Sequence, residues 1–352
     1  MREQRDKVVG FGILILIIGA IAWYFGASRS DEIYRRLQAI EGVTKVEKVE
    51  MDKRYESCLK DKYLVTFTQP VDWDNPEAGT FSQRVEIGIT DRADVNFLET
   101  EGYSLKADLI ETNYVSELVN MYRGNYIHVE HRFFGASSPD ELSYDETGFW
   151  EYLTLENAAR DYHNIYTKLA PLLGDKWVGY GYSFGGLMTN AYAQYFPEDM
   201  NVYVPFVAPC ADSLSDKRFY EFVYTKVGDA AFGAKEGERL RNLVTQFQVE
   251  LMKHKEELLP SYIEAIDKTG MRFRFSARPE VLYDLNVLEF ATMVWQYNQP
   301  FDEIERILAM PDDTEEAGKS KLDAEFELLI SLQSPMDWSP DMYAWPYYVA
   351  AA

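Results

Sequence analysis

A serine with a glycine two residues to either side, Gly181-Tyr182-Ser183-Phe184-Gly185, is the segment of this chain best suited to covalent chemistry. It fits G-x-S-x-G and stands between a strand-like run, Trp177-Val-Gly-Tyr-Gly181, and a small-residue helix from Gly185 to about Tyr195. That context gives the motif its meaning, because the pentapeptide alone arises often by chance. A sharp strand-to-helix turn forces the serine into a strained backbone, and the glycines leave room for neighbouring chain. The Ser183 hydroxyl is then held at the positive end of the following helix. The chemistry this predicts is acyl transfer. Ser183 is the nucleophile, the Phe184 backbone N–H is one oxyanion donor, and Gly186 adds clearance for substrate.

A serine hydroxyl needs a positioned base. The chain has four histidines, His128, His131, His163 and His254, and only His254 follows Ser183. In this type of fold the order is serine, acid, histidine. His254 falls on an apolar helix stripe between Leu251 and Leu258, which predicts a packed helix-face histidine. Asp284, Asp337 and Asp341 are downstream acids, none in a visible strand-end motif.

A second polar segment, Val129-Glu-His-Arg-Phe-Phe-Gly-Ala-Ser-Ser-Pro139, leaves an earlier strand where an oxyanion loop would sit. The amide of Phe134 or Gly135 is the expected second donor. His131 and Arg132 are expected to be internal ties that fix the loop. No cofactor and no metal are implied: there is no histidine–carboxylate cluster at ligand spacing and no phosphate-cradling G-x-x-x-x-G-K loop. Cys58 and Cys210 lack metal spacing, and the sequence leaves open one disulfide or two separate thiols.

These groups need a scaffold. With 47% hydrophobic and 15% aromatic residues, the 352-residue chain can bury a large core. A formal net charge of −23 argues against nucleic acid and anionic lipid headgroups as partners. At the N-terminus, MREQRDK precedes an uncharged apolar run from Val8 to Ala27, about the length of a membrane-spanning helix. Residues 1–30 are therefore expected to be a membrane anchor or a cleaved signal, with the remainder outside the cytoplasm, secreted or periplasmic if released. Residues 31–60 read as a charged stalk. Strands follow at Tyr63–Thr68, Arg84–Ile89, Val95–Leu98 and Tyr126–Glu130, with a helix near Val115–Asn120. An amphipathic helix carries Leu155, Ala158, Ala159, Tyr162, Ile165, Tyr166 and Leu169 on one face and ends at Gly174. A further strand covers Asn201–Ala208. Strand and helix alternate with short joints, so the fold class is α/β, with a mostly parallel sheet over 61–210. Residues 211–330 turn helix-rich and charged, with Leu240, Leu243, Phe247 and Leu251 in one stripe, and read as a helical cap.

The runs VEHRFFGASSP (129–139), WEYLTLENAARDYHNIY (150–166), KWVGYGYSFGG (176–186) and YFPEDMNVYVPFVAP (195–209), in that order, resemble the PS-10 type of serine peptidase. VTFTQPVDWDNPEAGTFSQRV (65–85) and VWQYNQP (294–300) extend the resemblance over residues 60–350. It implies an α/β-hydrolase fold with a helical cap insertion. The implied activity is that of secreted prolyl and tripeptidyl aminopeptidases: Ser183 in a Ser-Asp-His triad, with short, proline-containing peptides released from N-termini. A lysine is expected after the serine, whereas Phe184 stands here and keeps only the backbone donor. Residues 331–352 resemble the stretch before the family's last strands, so the reading expects C-terminal strands and the triad Asp and His to be missing. Glu289 on the cap is expected to pair with the substrate's amine. The alternatives are an inactive or truncated, membrane-tethered peptide-binding homologue, and an esterase or lipase on the same fold.

Overall fold

The computed structural model describes residues 31–138, 150–210, 216–268, 278–311, 315–316 and 318–332. Two compact units divide the chain, Met1–Cys210 and Ala211–Ala352. The apolar run Val8–Ala27 and the acids Asp337 and Asp341 lie outside the described residues, and so does nearly all of 331–352. No helix among the described residues is long and apolar enough to cross a membrane.

The first unit opens with helix α1 (31–38), which buries Ile33 and Leu37. Among the described residues seven strands form one sheet: β1 (Val43–Lys48), β2 (Leu59–Pro70), β3 (Thr80–Thr90), β4 (Asn96–Thr100), β5 (Asn125–Val129), β6 (Trp177–Tyr182) and β7 (Val202–Phe206). Their order is β1-β2-β3-β5-β4-β6-β7. The first three and β5 pair antiparallel, while β5, β4, β6 and β7 run parallel. Residues 31–60 are thus not a stalk. Their helix packs on the unit, and β1 pairs with β2 over Val43–Lys48. The charged appearance has a simple cause: in this outermost strand only Val46 is buried, so VTKVEK shows its lysines and glutamate to solvent.

Helices join the parallel strands: α2 (Ala107–Ile110) and α3 (Glu117–Tyr122) between β4 and β5, α4 (Leu155–Leu173) between β5 and β6, and α5 (Phe184–Tyr195) between β6 and β7. Thr154 caps α4 by accepting the Asn157 N–H, and Gly174 closes it at φ 99°. Its buried face is Ala158, Ala159, Tyr162, Ile165 and Leu169; Leu155, expected on that face, sits exposed in the first turn, and half-buried Tyr166 packs edge-on against Trp177 at 5.3 Å. Each large side chain there contributes roughly 1.5–3 kcal/mol. Cys58 is buried and Cys210 exposed, and the two form no disulfide with each other, which removes that alternative.

The second unit is helical. It runs α6 (Lys217–Glu221), continued by a π-turn over Phe222–Lys226, α7 (Asp229–Phe232), α8 (Ala234–Lys253), α9 (Lys255–Lys268), α10 (Pro279–Met293), α11 (Phe301–Ala309) and α12 (Lys321–Leu332). The α8 stripe Leu240, Leu243, Phe247 and Leu251 is buried with Tyr262, Tyr283, Phe290, Ile304 and Leu329.

Candidate active site

Ser183 stands between β6 and α5 as the helix's N-cap, with φ 53° and ψ −121°, a left-handed conformation that costs a non-glycine residue of order 1–3 kcal/mol. The surroundings hold it there. Its N–H donates to the Phe206 carbonyl of β7 at 3.1 Å, and its carbonyl accepts the Leu187 N–H at 3.1 Å. The side chain is exposed to solvent. The glycines are required by backbone contact. A Cβ on Gly181 would strike the Gly185 carbonyl, one on Gly185 would strike the Thr100 carbonyl, and one on Gly186 would lie 2.6 Å from the Phe206 carbonyl oxygen. The Thr100 hydroxyl lies 2.7 Å from both the Gly185 carbonyl oxygen and the Thr189 hydroxyl, and so fastens the first turn of α5 to β4.

Phe184 is the first residue of α5, at the positive end of the helix. Its ring is buried, stacked on His131 with centroids 5.6 Å apart and tilted against Tyr103 at 5.7 Å.

The second expected donor is corrected by the strand order. The neighbours of β6 are β4 and β7, so the loop beside the elbow is 101–103, after β4, and not the segment after β5. A Cβ on Gly102 would lie 2.6 Å from the Gly185 nitrogen and 2.8 Å from Phe184 Cβ. Phe134 does not fit the donor role: its N–H already donates to the His131 carbonyl at 3.2 Å. Its ring instead packs edge-on against His131 at 5.2 Å and Tyr103 at 5.9 Å, within the aromatic cluster around Phe184.

No histidine of the first unit reaches the Ser183 hydroxyl. His131 is buried, with Nδ1 2.9 Å from the Arg132 carbonyl and Nε2 3.2 Å from Met188 Sδ. Burial, its largest influence, lowers its pKa to about 4. His163 pairs with Asp199 at 2.7 Å and stacks on Phe196 at 4.1 Å. Phe196 caps the far end of α5, about 20 Å from Ser183 by helix rise. His128 lies in a carboxylate cluster described below.

Arg132 is an internal tie. It is fully buried and forks onto Asp161 through Nε at 2.7 Å and Nη2 at 2.8 Å. Nη1 donates to the Val71 and Tyr152 carbonyls at 2.8 Å each. Neighbouring Glu130 accepts the Leu105 N–H at 2.9 Å and the Ser137 hydroxyl at 2.6 Å, and pairs with Arg84 at 2.5 Å. The VEHRFFGASS segment therefore braces the loop beside the elbow through side chains.

A row of ionisable residues crosses the sheet nearby, and the sequence reading missed it. His128 on β5 lies 3.0 Å from Glu101 and 3.6 Å from Glu86, which pairs with buried Lys62. Tyr180 donates to Glu99 at 2.6 Å and shares a 2.7 Å hydrogen bond with Ser116. The available signal was two carboxylates at the edge of an apolar run: Glu99, in β4, directly follows Val95-Asn-Phe-Leu98, and Glu101 follows the strand.

In the second unit, α8 and α10 border an open, mostly apolar groove of about 490 Å³ that includes Val249, Met252, Val287 and Leu288. Glu289 follows Leu288 on α10, half-buried, and burial raises its pKa. Among the described residues no cation pairs with it. Asp284 pairs with Lys255 at 2.5 Å. His254 Nδ1 lies 2.7 Å from buried Glu325, and Glu250 completes a trio whose ligand atoms fall within 4.8 Å of one another. Two protein ammonium groups already hold Glu250, Lys321 at 3.0 Å and Lys253 at 3.1 Å, so the trio reads as an ion-pair network tying α8 to α12.

A strained serine between a parallel strand and a helix, with four strands in the order β5-β4-β6-β7, defines an α/β-hydrolase-type unit. The profile of one family, PS-10 peptidase S37, matches residues 27–352, and the chain belongs to it. It is 30% identical over 310 residues to a prolyl tri/tetrapeptidyl aminopeptidase of Streptomyces mobaraensis, covering 86% of this chain. The match spans 59% of that relative's length. Among solved structures, a mutant of the rice cell wall degrading esterase LipA from Xanthomonas oryzae aligns at 12% identity and a TM-score of 0.34, over 88% of this chain and 74% of its own. An arylesterase aligns at 16% identity and a TM-score of 0.30, over 59% and 62%.

Proposed function

We propose that the chain is a serine exopeptidase that releases short peptides, proline-containing ones among them, from polypeptide N-termini through an acyl-enzyme on Ser183. The observation that carries this reading is the strained, solvent-facing Ser183 at the head of α5. Its Oγ attacks the scissile carbonyl carbon, and the new oxyanion forms against the Phe184 N–H at the positive helix end. The leaving amine takes the serine proton by way of a base, and water then hydrolyses the ester. An imidazole acting as that base has to come from outside the first unit, whose three histidines are committed elsewhere. The name of the Streptomyces mobaraensis relative supports the substrate class.

Incubating the full chain with proline-containing peptides, free or N-acetylated, and weighing the products tests the reading. Short N-terminal fragments from the free peptides alone are expected. Equal cleavage of both forms, or hydrolysis of simple acyl esters only, would move the assignment to an endopeptidase or an esterase.

Glu289 supplies the amine recognition in this reading. A half-buried carboxylate whose pKa burial raises gains most from a cationic guest. Glu289→Gln is expected to raise KM for free peptides about tenfold with kcat little changed. An unchanged KM removes Glu289 from substrate binding.

The uncharged Val8–Ala27 run supports a site of action outside the cytoplasm. Protease added to intact cells is expected to digest the domain. Full protection until lysis would put it inside.

A second reading, a peptide-binding homologue without turnover, is favoured by one observation: the absence of a histidine at Ser183 within the first unit.

A further inference from the structure

The loop beside the elbow is held by a side chain that the acyl-transfer scheme does not use. Glu101 directly follows β4, and its N–H extends the ladder to the Val129 carbonyl at 3.1 Å. Its Oε1 accepts the backbone N–H of Gly102 at 3.0 Å and of Tyr103 at 3.1 Å. Its Oε2 lies 3.0 Å from His128 Nε2. The same carboxylate therefore grips two consecutive amides of the loop and one imidazole of the sheet. Gly102, the residue so gripped, is the one packed on Phe184 and Gly185.

We propose that Glu101 and His128 form a positioning pair that holds the 101–103 loop against the first turn of α5 and so fixes where Phe184 presents its amide. The catalytic consequence rests on the function proposed above; the mechanical one does not.

The groups facing His128 are Glu86 from β3, Glu99 and Glu101 from β4, Tyr126 on β5 and Tyr180 from β6, with Lys62 of β2 behind Glu86. Burial opposes a charged His128, but the Glu99 charge and the bonds to Glu101 and Glu86 outweigh it, and the pKa lies well above the ordinary value of 6.5. For Glu101, burial is likewise outweighed by His128 and by the Gly102 and Tyr103 amides, and the pKa falls. A raised histidine pKa means the pairing is complete below the ordinary value and lost as pH rises through the raised one. A lowered carboxylate pKa means it is lost as pH falls through that value. The charged pair accordingly persists through neutrality and is lost as pH rises through the raised His128 value, which loosens the carboxylate that holds the two amides.

The test is amide hydrogen exchange on the full chain, read at Gly102 and Tyr103 as protection factors. Wild type is expected to lose protection as pH rises through the raised His128 value. Glu101→Gln and His128→Gln are expected to lower protection about tenfold at neutral pH and to flatten that pH dependence, with α4 amides unchanged. Unchanged protection in both folded variants, or a flat wild-type profile, overturns the proposal. Should neither variant fold, the wild-type profile alone decides. The rate of Ser183 acylation by a fluorophosphonate, measured in parallel, tests the catalytic reading separately. No acylation in wild type sinks that reading and leaves the exchange result standing.

Discussion

Arg132→Ala is expected to destabilise the first unit by about 3–5 kcal/mol, the cost typical of leaving a buried charge without its partner. Arg132 and Asp161 both have fully buried side chains, and the guanidinium joins three segments: the end of β2 through Val71, the 150–152 turn through Tyr152, and α4 through Asp161. Trp73 adds a 2.8 Å hydrogen bond to the same carboxylate, and the Phe81 and Phe133 rings each lie 5.2 Å from the guanidinium carbon. Truncation strands Asp161 in an apolar environment and opens a cavity. Lysine cannot reproduce the fork, so Arg132→Lys is expected to recover little. Urea unfolding checks this. A midpoint shift worth less than about 1 kcal/mol would mean that water reaches the site and replaces the fork.

Ser183→Ala is expected to abolish covalent labelling by a fluorophosphonate while leaving the fold intact. Alanine removes only Oγ, and the turn is held by main-chain contacts at Phe206 and Leu187. The same left-handed backbone penalty applies to serine and alanine, so stability should change by less than about 1 kcal/mol. Wild type labelling at this one residue means that a base reaches it. A folded wild type that stays unlabelled favours the binding homologue without turnover, and the elbow would then be a relic of geometry.

The elbow was legible because its determinants are local. Ser183, its flanking glycines, the preceding strand and the following helix lie within twenty residues, and each is recognisable by type. The amphipathic face of α4 and the α8 stripe were legible for the same reason, since a 3.6-residue period is written directly in the order of side chains. Strand order is not written that way. Both β4 and β5 read as short apolar strands, and nothing in either says which one lies next to β6. Placing the donor loop after β5 followed from that ambiguity, and it drew attention to Phe134 when Gly102 was the residue against the elbow. Residues 31–60 misled for a different reason: an outermost strand with one buried position has the composition of a solvated segment. Glu101 and His128 were passed over because polar residues inside a sheet are visible only once the neighbouring strands are known.

Around Ser183 the restraining atoms belong mostly to the main chain: the carbonyls of Thr100, Gly185 and Phe206, and the nitrogen of Gly185. Main-chain atoms at such a junction have no rotamers to choose among. The conformational entropy of fixing Ser183 is therefore lost once, when the domain folds, and the proposed reaction needs no further ordering of the turn when a substrate arrives. In that proposed reaction a peptide would find the attack trajectory already set, so its own binding energy is left to orient the scissile bond.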